Sequence, residues 1–178
     1  MLTAFKEELA AYAEQHEDER GIVDQFLTFV EQTPDCLSPE GRPGHLVASA
    51  WIENRAGDRF LLTKHKKTGH WYQVGGHVEG NPDIRAEAFR EAREESGLTN
   101  LVLKQEGIFD LNIFFVTYGA FPHFHYNVCY LLKSLDVDDA IQISDESDEL
   151  AWFDSLPEPG DGSEQMFKKW KMTKCAGD

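Results

Sequence analysis

Apolar residues recur at helical spacing towards both ends of this chain and alternate at strand spacing through its middle. Leu2, Phe5, Leu9 and Tyr12 form one stripe within residues 2–16, and Ile22, Val23, Phe26, Leu27 and Val30 form another within 20–32. Both spacings predict amphipathic helices, antiparallel and joined near His16–Gly21. Their plain role is a packing addition to the main fold; a dimer arm or a lid is the sharper alternative. Pro34–Pro43, with three prolines, reads as a linker. His45–Glu53 and Arg59–Thr63 read as two strands of a hairpin turning at Asn54–Asp58. His70–Val74 is a short strand. Leu101–Glu106 and Ile108–Val116 are strands broken at Gly107, and Thr117–Pro122 is a loop. His123–Leu132 alternates cleanly, with His123, His125, Asn127 and Cys129 on one face and Phe124, Tyr126, Val128 and Tyr130 on the other. Asp136–Ala140 is an acidic turn, Ile141–Ser144 a short strand, and Asp145–Glu149 an acidic loop before the apolar Leu150–Phe153. After a Pro/Gly linker at Leu156–Gly162, Ser163–Thr173 forms a helix packing through Met166, Phe167 and Trp170.

The stretch from Gly75 to Leu98 organises the rest. Gly75, Gly76 and Gly80 exclude a regular element in its first half, because glycine lets the backbone bend and approach other groups closely. A helix follows, with Asn81 as N-cap and Pro82 in its first position. Asp83 favours the positive end of the helix dipole, and Gly97 provides the C-cap. At about 100° per residue, Glu87, Glu91, Glu94 and Glu95 share an arc of roughly 100°. Like charges one turn apart repel. Arg90 relieves part of this through its i,i+4 neighbour Glu94. A hard divalent cation such as Mg²⁺ or Mn²⁺ would relieve the rest; a solvated acidic face is the alternative.

Composition narrows the classes. The chain has 178 residues, 41% of them hydrophobic and 12% aromatic, enough for one core with additions. No apolar run has the length to span a bilayer, and the N-terminus lacks a secretory pattern. Three dispersed cysteines, Cys36, Cys129 and Cys175, argue against a disulfide framework and for the cytoplasm. A net charge of −15 argues against a nucleic-acid surface. The densest positive cluster is the loop Lys64–Gly69, where His65 and Lys67 are candidates for phosphate contacts, with solvation of the loop the alternative. His123 and His125 could ligate a metal, but no third ligand stands at suitable local spacing. A pocket-lining or structural role is therefore expected, with His125 reaching a phosphate or a base.

The stretch resembles the signature of the Nudix hydrolases, the MutT-like family: Gly, five residues, Glu, seven residues, Arg-Glu, an apolar residue, any residue, Glu-Glu, any residue, Gly, apolar. Gly76, Arg90, Glu91, Ala92, Glu94, Glu95, Gly97 and Leu98 match in register. The first signature Glu, which supports the loop and pairs with the Arg, falls on Pro82; Asp83 is a possible replacement partner for Arg90. The resemblance implies an α/β fold: a Nudix-type α/β/α sandwich with a mixed sheet over residues 41–157. Residues 1–40 add a helical pair and linker, and 158–178 a linker and short helix. It implies a metal-dependent hydrolase cleaving the diphosphate linkage of a nucleoside diphosphate joined to another moiety. Glu91, Glu94, Glu95 and the Gly76 carbonyl would hold Mg²⁺ or Mn²⁺, and Arg90 would orient a helix carboxylate. The base remains open among the helix glutamates, Glu146 and Glu149. The implied partner is a phosphorylated small molecule, with no nucleic acid, no membrane and a possible homodimer. Two alternatives stand: a nucleotide-binding module without catalysis, and an isoprenoid-diphosphate isomerase, for which Cys129 is the only candidate thiol in the core.

Overall fold

The computed structural model describes residues 2–117, 121–145, 147–157 and 163–175. Its frame is an eight-stranded mixed sheet. Strand β1 (Gly44–Glu53) runs through the middle, and all ten of its residues are buried. A strand covered on both faces needs apolar or small residues at every position rather than alternation, and H-L-V-A-S-A-W-I supplies them. β1 lies parallel to β7 (His123–Ser134), in register from Gly44 opposite Phe124 to Glu53 opposite Lys133. The other pairings are antiparallel. β2 (Phe60–His65) meets the end of β1, β4 (Val74–His77) meets its middle, and β3 (Trp71–Tyr72) meets β2. β5 (Leu101–Leu103) and β6 (Asp110–Val116) meet β7, and β8 (Ser147–Phe153) meets β2.

Helices cover both faces, giving the expected α/β/α sandwich. Phe5, Leu9 and Tyr12 of α1 (Thr3–Gln15) are buried. So are Val23, Phe26 and Phe29 of α2 (Arg20–Gln32) and Ile84, Ala88 and Ala92 of α3 (Ile84–Ser96). All of them join Leu46, Ala48, Ala50, Val128 and Tyr130 in one core. The N-terminal pair is thus part of the main core, which supports packing over a free arm. On the other face, Met166 and Trp170 of α4 (Ser163–Cys175) pack on Trp51, Phe60, Leu62, Cys129 and Leu131.

Several local expectations change. Gly75 and Gly76 lie inside β4 rather than in an irregular loop, paired with Ser49 and Ala48. A Cβ at Gly75 would stand 2.5 Å from the Ser49 Cβ, so glycine here permits close strand approach. The helix begins at Ile84, not Pro82. Asp83 is its N-cap and accepts a bond from the Ala86 N–H at 2.9 Å, while Asn81 accepts from the Asp83 N–H one turn earlier. Gly97 does cap the C-terminus, at φ +70°. Residues 141–144 form no strand. Ser147 to Glu149, expected in a loop, belong to β8 because the end of β2 pairs with them, His65 opposite Ser147 and Lys64 opposite Glu149.

Candidate active site

Helix α3 lays its acidic face on β4, and Arg90 organises that face. Its Nε donates to Glu87 at 2.6 Å, Nη1 to Glu94 at 2.7 Å, and Nη2 to Glu91 at 2.6 Å and to the His77 carbonyl at 3.1 Å. Burial works against the Arg90 charge, but the three carboxylates outweigh it and raise its pKa further. One guanidinium thus fixes three carboxylates and ties them to the strand, which a planar fork of donors does well.

The missing signature Glu is answered here. Asp83, expected to pair with Arg90, caps the helix instead. Glu87 takes the role: one carboxylate oxygen receives Arg90, and the other receives Asn81 Nδ2 at 2.6 Å. A helical residue thereby supports the loop from the far side. Sequence reading grouped Glu87 with the acidic arc but gave it no such task, because the link depends on where Asn81 folds back.

The remaining acids line the glycine strand. The Glu95 carboxylate accepts the Gly75 N–H at 2.9 Å. The Glu91 carboxylate lies where a Cβ on Gly76 would come within 2.6 Å of it. Glu91 and Glu95 are largely buried, whereas the Glu94 side chain is 59% exposed. The structure therefore brings together Gly76, Arg90, Glu91, Glu94 and Glu95 in one place. Carboxylates on one helix face, beside the half-buried Gly75–Gly76 backbone, are oxygen donors of the kind a hard cation takes, so the donor chemistry suits Mg²⁺ or Mn²⁺.

The other candidates are dispersed. His65 ends β2, its ring edge-on to Tyr72 at 6.3 Å, and the exposed Lys67 follows in the turn. Neighbouring Lys64 pairs with Glu149 at 2.7 Å, and Lys66 donates to the Asp145 carbonyl. Glu149 is thus occupied on the β8 edge. Glu146, the other acid considered as base, lies outside the described residues. His125 stands two strands from His65, across β1. Burial, then its histidine neighbours, lowers its pKa to about 2. A neutral imidazole does not meet a phosphate as a cation.

His125 and His123 are not alone. Across the parallel register His125 faces His45, and His77 of β4 joins them on the same sheet face. The ring centroids of His45 lie 4.8 Å from His77, 4.7 Å from His123 and 4.7 Å from His125. Burial lowers the His45 pKa to about 4. Local spacing held no third histidine because the other two come from strands remote in sequence. Cys129 is fully buried, and burial pushes its thiol up to about 12. It offers no thiolate for isomerase chemistry.

A model of the NUDIX domain matches residues 43–159. No curated protein matches the chain. Among solved structures, an Ap4A hydrolase from C. elegans in a binary complex is similar at TM-score 0.56 and 21% identity, over 74% of this chain and 98% of that one. A MutT protein from Methanosarcina mazei Go1 is similar at 0.55 and 19%, over 72% and 94%. An ADP-ribose pyrophosphatase from Streptococcus suis is similar at 0.53 and 18%, over 72% and 91%. At these identities the likeness is one of fold.

Proposed function

This chain belongs to the Nudix family and is a phosphoanhydride-cleaving hydrolase; on that premise we propose that it requires Mg²⁺ or Mn²⁺ and splits the diphosphate linkage of a nucleoside diphosphate joined to another moiety. The observation that carries this reading is the convergence of Glu91 and Glu95 on the Gly75–Gly76 backbone, with Arg90 holding Glu91 and Glu94 in place. Glu91, Glu94, Glu95 and the Gly76 carbonyl are the ligands. A bound divalent cation supplies neutralisation of the phosphate oxygens that otherwise repel a nucleophile. Positioning and electrostatics dominate transfer at phosphorus, and positioning is what this chain's own residues provide. Arg90 orients the helix carboxylates. The proton of the attacking water passes to a carboxylate, with a helix glutamate, Glu146 and Glu149 as the candidate bases. Lys67 and His65 meet the outer phosphate oxygens.

The structural neighbours named for Ap4A and for ADP-ribose support a nucleotide linked to a second group as the substrate class. Buried, unpaired Cys36 and Cys129 suit a reducing compartment such as the cytoplasm. Among the described residues, no helix is long and apolar enough to cross a membrane.

The test is a panel of nucleotide sugars, dinucleoside polyphosphates, NADH, ADP-ribose and oxidised nucleotides, each with Mg²⁺, Mn²⁺ or neither. We expect metal-dependent release of a nucleoside monophosphate from at least one of them. Glu94→Gln and Glu95→Gln should each lower turnover on the order of a hundredfold or more, since several kcal/mol of charge stabilisation would be lost. Full turnover in both variants at saturating Mg²⁺ would remove the ligand assignment.

A further inference from the structure

We propose that His45, His77 and His125 form a second cation site, for a borderline transition ion of the Zn²⁺ type, on the sheet face opposite the acidic helix. The proposal is independent of the hydrolase reading. Gly76 and His77 are neighbours on β4, so their side-chain directions alternate. The Gly76 position faces Glu91, and His77 faces the histidines.

Three observations carry it. One ring nitrogen from each of the three histidines lies within 4.8 Å of the others. His45 is 1% exposed, and neither of its ring nitrogens has a hydrogen-bond partner. A buried imidazole that no protein group hydrogen-bonds calls for a polar partner from outside the chain, because leaving both nitrogens unsatisfied is costly. Further along the same face, Asn127 Nδ2 and the facing Asn112 Oδ1 are also buried without partners. This end of the sheet therefore gathers buried polar atoms that no protein group satisfies, whereas its other end is filled by Trp51, Leu131 and Trp170.

His123 completes the arrangement as a positioning residue. Its Nδ1 lies 2.7 Å from the Phe121 carbonyl, so that nitrogen carries the proton. Its Nε2 is then an acceptor, 2.9 Å from His125 Nε2. The His125 proton must occupy that contact, which leaves His125 Nδ1 with a free lone pair. A ligating histidine held through its second nitrogen is the usual outer arrangement of metal sites.

The ligand chemistry selects the ion. Imidazole suits Zn²⁺, Co²⁺, Ni²⁺ and Cu²⁺, while Mg²⁺ prefers oxygen. Zn–N bonds of about 2.0–2.1 Å place tetrahedral ligand atoms about 3.4 Å apart, so nitrogens that lie within 4.8 Å of one another need to close by up to about 1.4 Å. His77 is exposed and can swing in to do so. Three protein ligands with one exposed edge leave a fourth position for water or a ligand oxygen.

The test uses the full-length chain, stripped by chelator and titrated with Co²⁺. We expect one equivalent to bind with the visible absorption of a four-coordinate site, displaced by Zn²⁺ and not by excess Mg²⁺. Glu94→Gln/Glu95→Gln should keep this binding. His77→Ala, an exposed position, should lose it, and His123→Ala should weaken it about 10–100-fold. X-ray absorption on the wild-type complex should show three imidazole nitrogens, a readout that needs no variant to fold. Absent stoichiometric Co²⁺ binding, a shell of oxygens alone, or loss of binding in the double Glu variant with retention in His77→Ala would each overturn the proposal.

Discussion

At the residue scale, one substitution in the signature shows how a local rule can be met from elsewhere. Pro82 cannot carry a charge, yet Arg90 and the loop both keep a carboxylate partner in Glu87. Glu87 is 7% exposed and bonded at both oxygens. Changing it to Gln keeps the shape and the Asn81 contact region but removes the charge opposite Arg90. Charge-assisted bonds are roughly twice as strong as neutral ones, so Arg90 should lose its anchor and Glu91 and Glu94 some of their order. We expect Glu87→Gln to lower kcat about tenfold, a barrier increase of about 1.4 kcal/mol, with little change in KM. An unchanged kcat would reduce Glu87 to a passive charge. The legibility of this residue was partial: the acidic arc follows from helix geometry, but the pairing needed the position of Asn81.

At the element scale, α4 is held by more than its apolar face. Glu53, at the end of β1, is fully buried and receives the Trp170 indole N–H at 3.0 Å. Lys104 lies at 3.1 Å and Lys133 at 3.7 Å, and Lys174 of α4 closes the ring. A buried carboxylate is tolerated only when it is paired and hydrogen-bonded. Removing one partner of a buried pair costs about 3–5 kcal/mol, and the lower end applies because the lysines are about one-third exposed. Glu53→Leu should therefore lower unfolding stability by about 3 kcal/mol and shift Trp170 emission to the red in denaturant titrations. Equal midpoints for variant and parent would show that apolar packing alone holds α4. From sequence, Glu53 looked like the polar end of a strand, and nothing local revealed that three lysines from distant elements surround it.

At the scale of the whole molecule, Lys169 of α4 joins the two helical layers around β6. It pairs with Asp110 at 2.6 Å and Glu19 at 2.7 Å, and bonds Tyr12 of α1 at 2.5 Å. Burial pushes the Asp110 carboxyl up to about 6, although Lys169 pulls it down. Its unfolded value is about 3.9. Between about pH 4 and pH 6 the folded state therefore holds a proton that the unfolded chain has released. The resulting stability is complete below about pH 4 and is lost as pH rises through 6. Two units correspond to about 3 kcal/mol. Measured by denaturant from pH 4 to 7.5, the parent should lose about that much relative to Asp110→Asn; parallel curves would place the Asp110 titration elsewhere. The same network shows why the N-terminal helices, read as an addition, are integral: they share the core and the charge cluster of the sheet.

The sequence by itself determined the elements whose signal is local. Helical stripes, the alternation of β7, the Gly97 cap and the spacing of Arg90, Glu91, Glu94 and Glu95 depend on residues a turn or two apart. Only the tertiary structure decided that Gly75 and Gly76 form a strand, that Glu87 replaces the acid missing at Pro82, and that His45 and His77 meet His123 and His125. Those outcomes rest on strand register between segments dozens of residues apart. Register is fixed by the whole sheet closing around one core, and no window of sequence contains it.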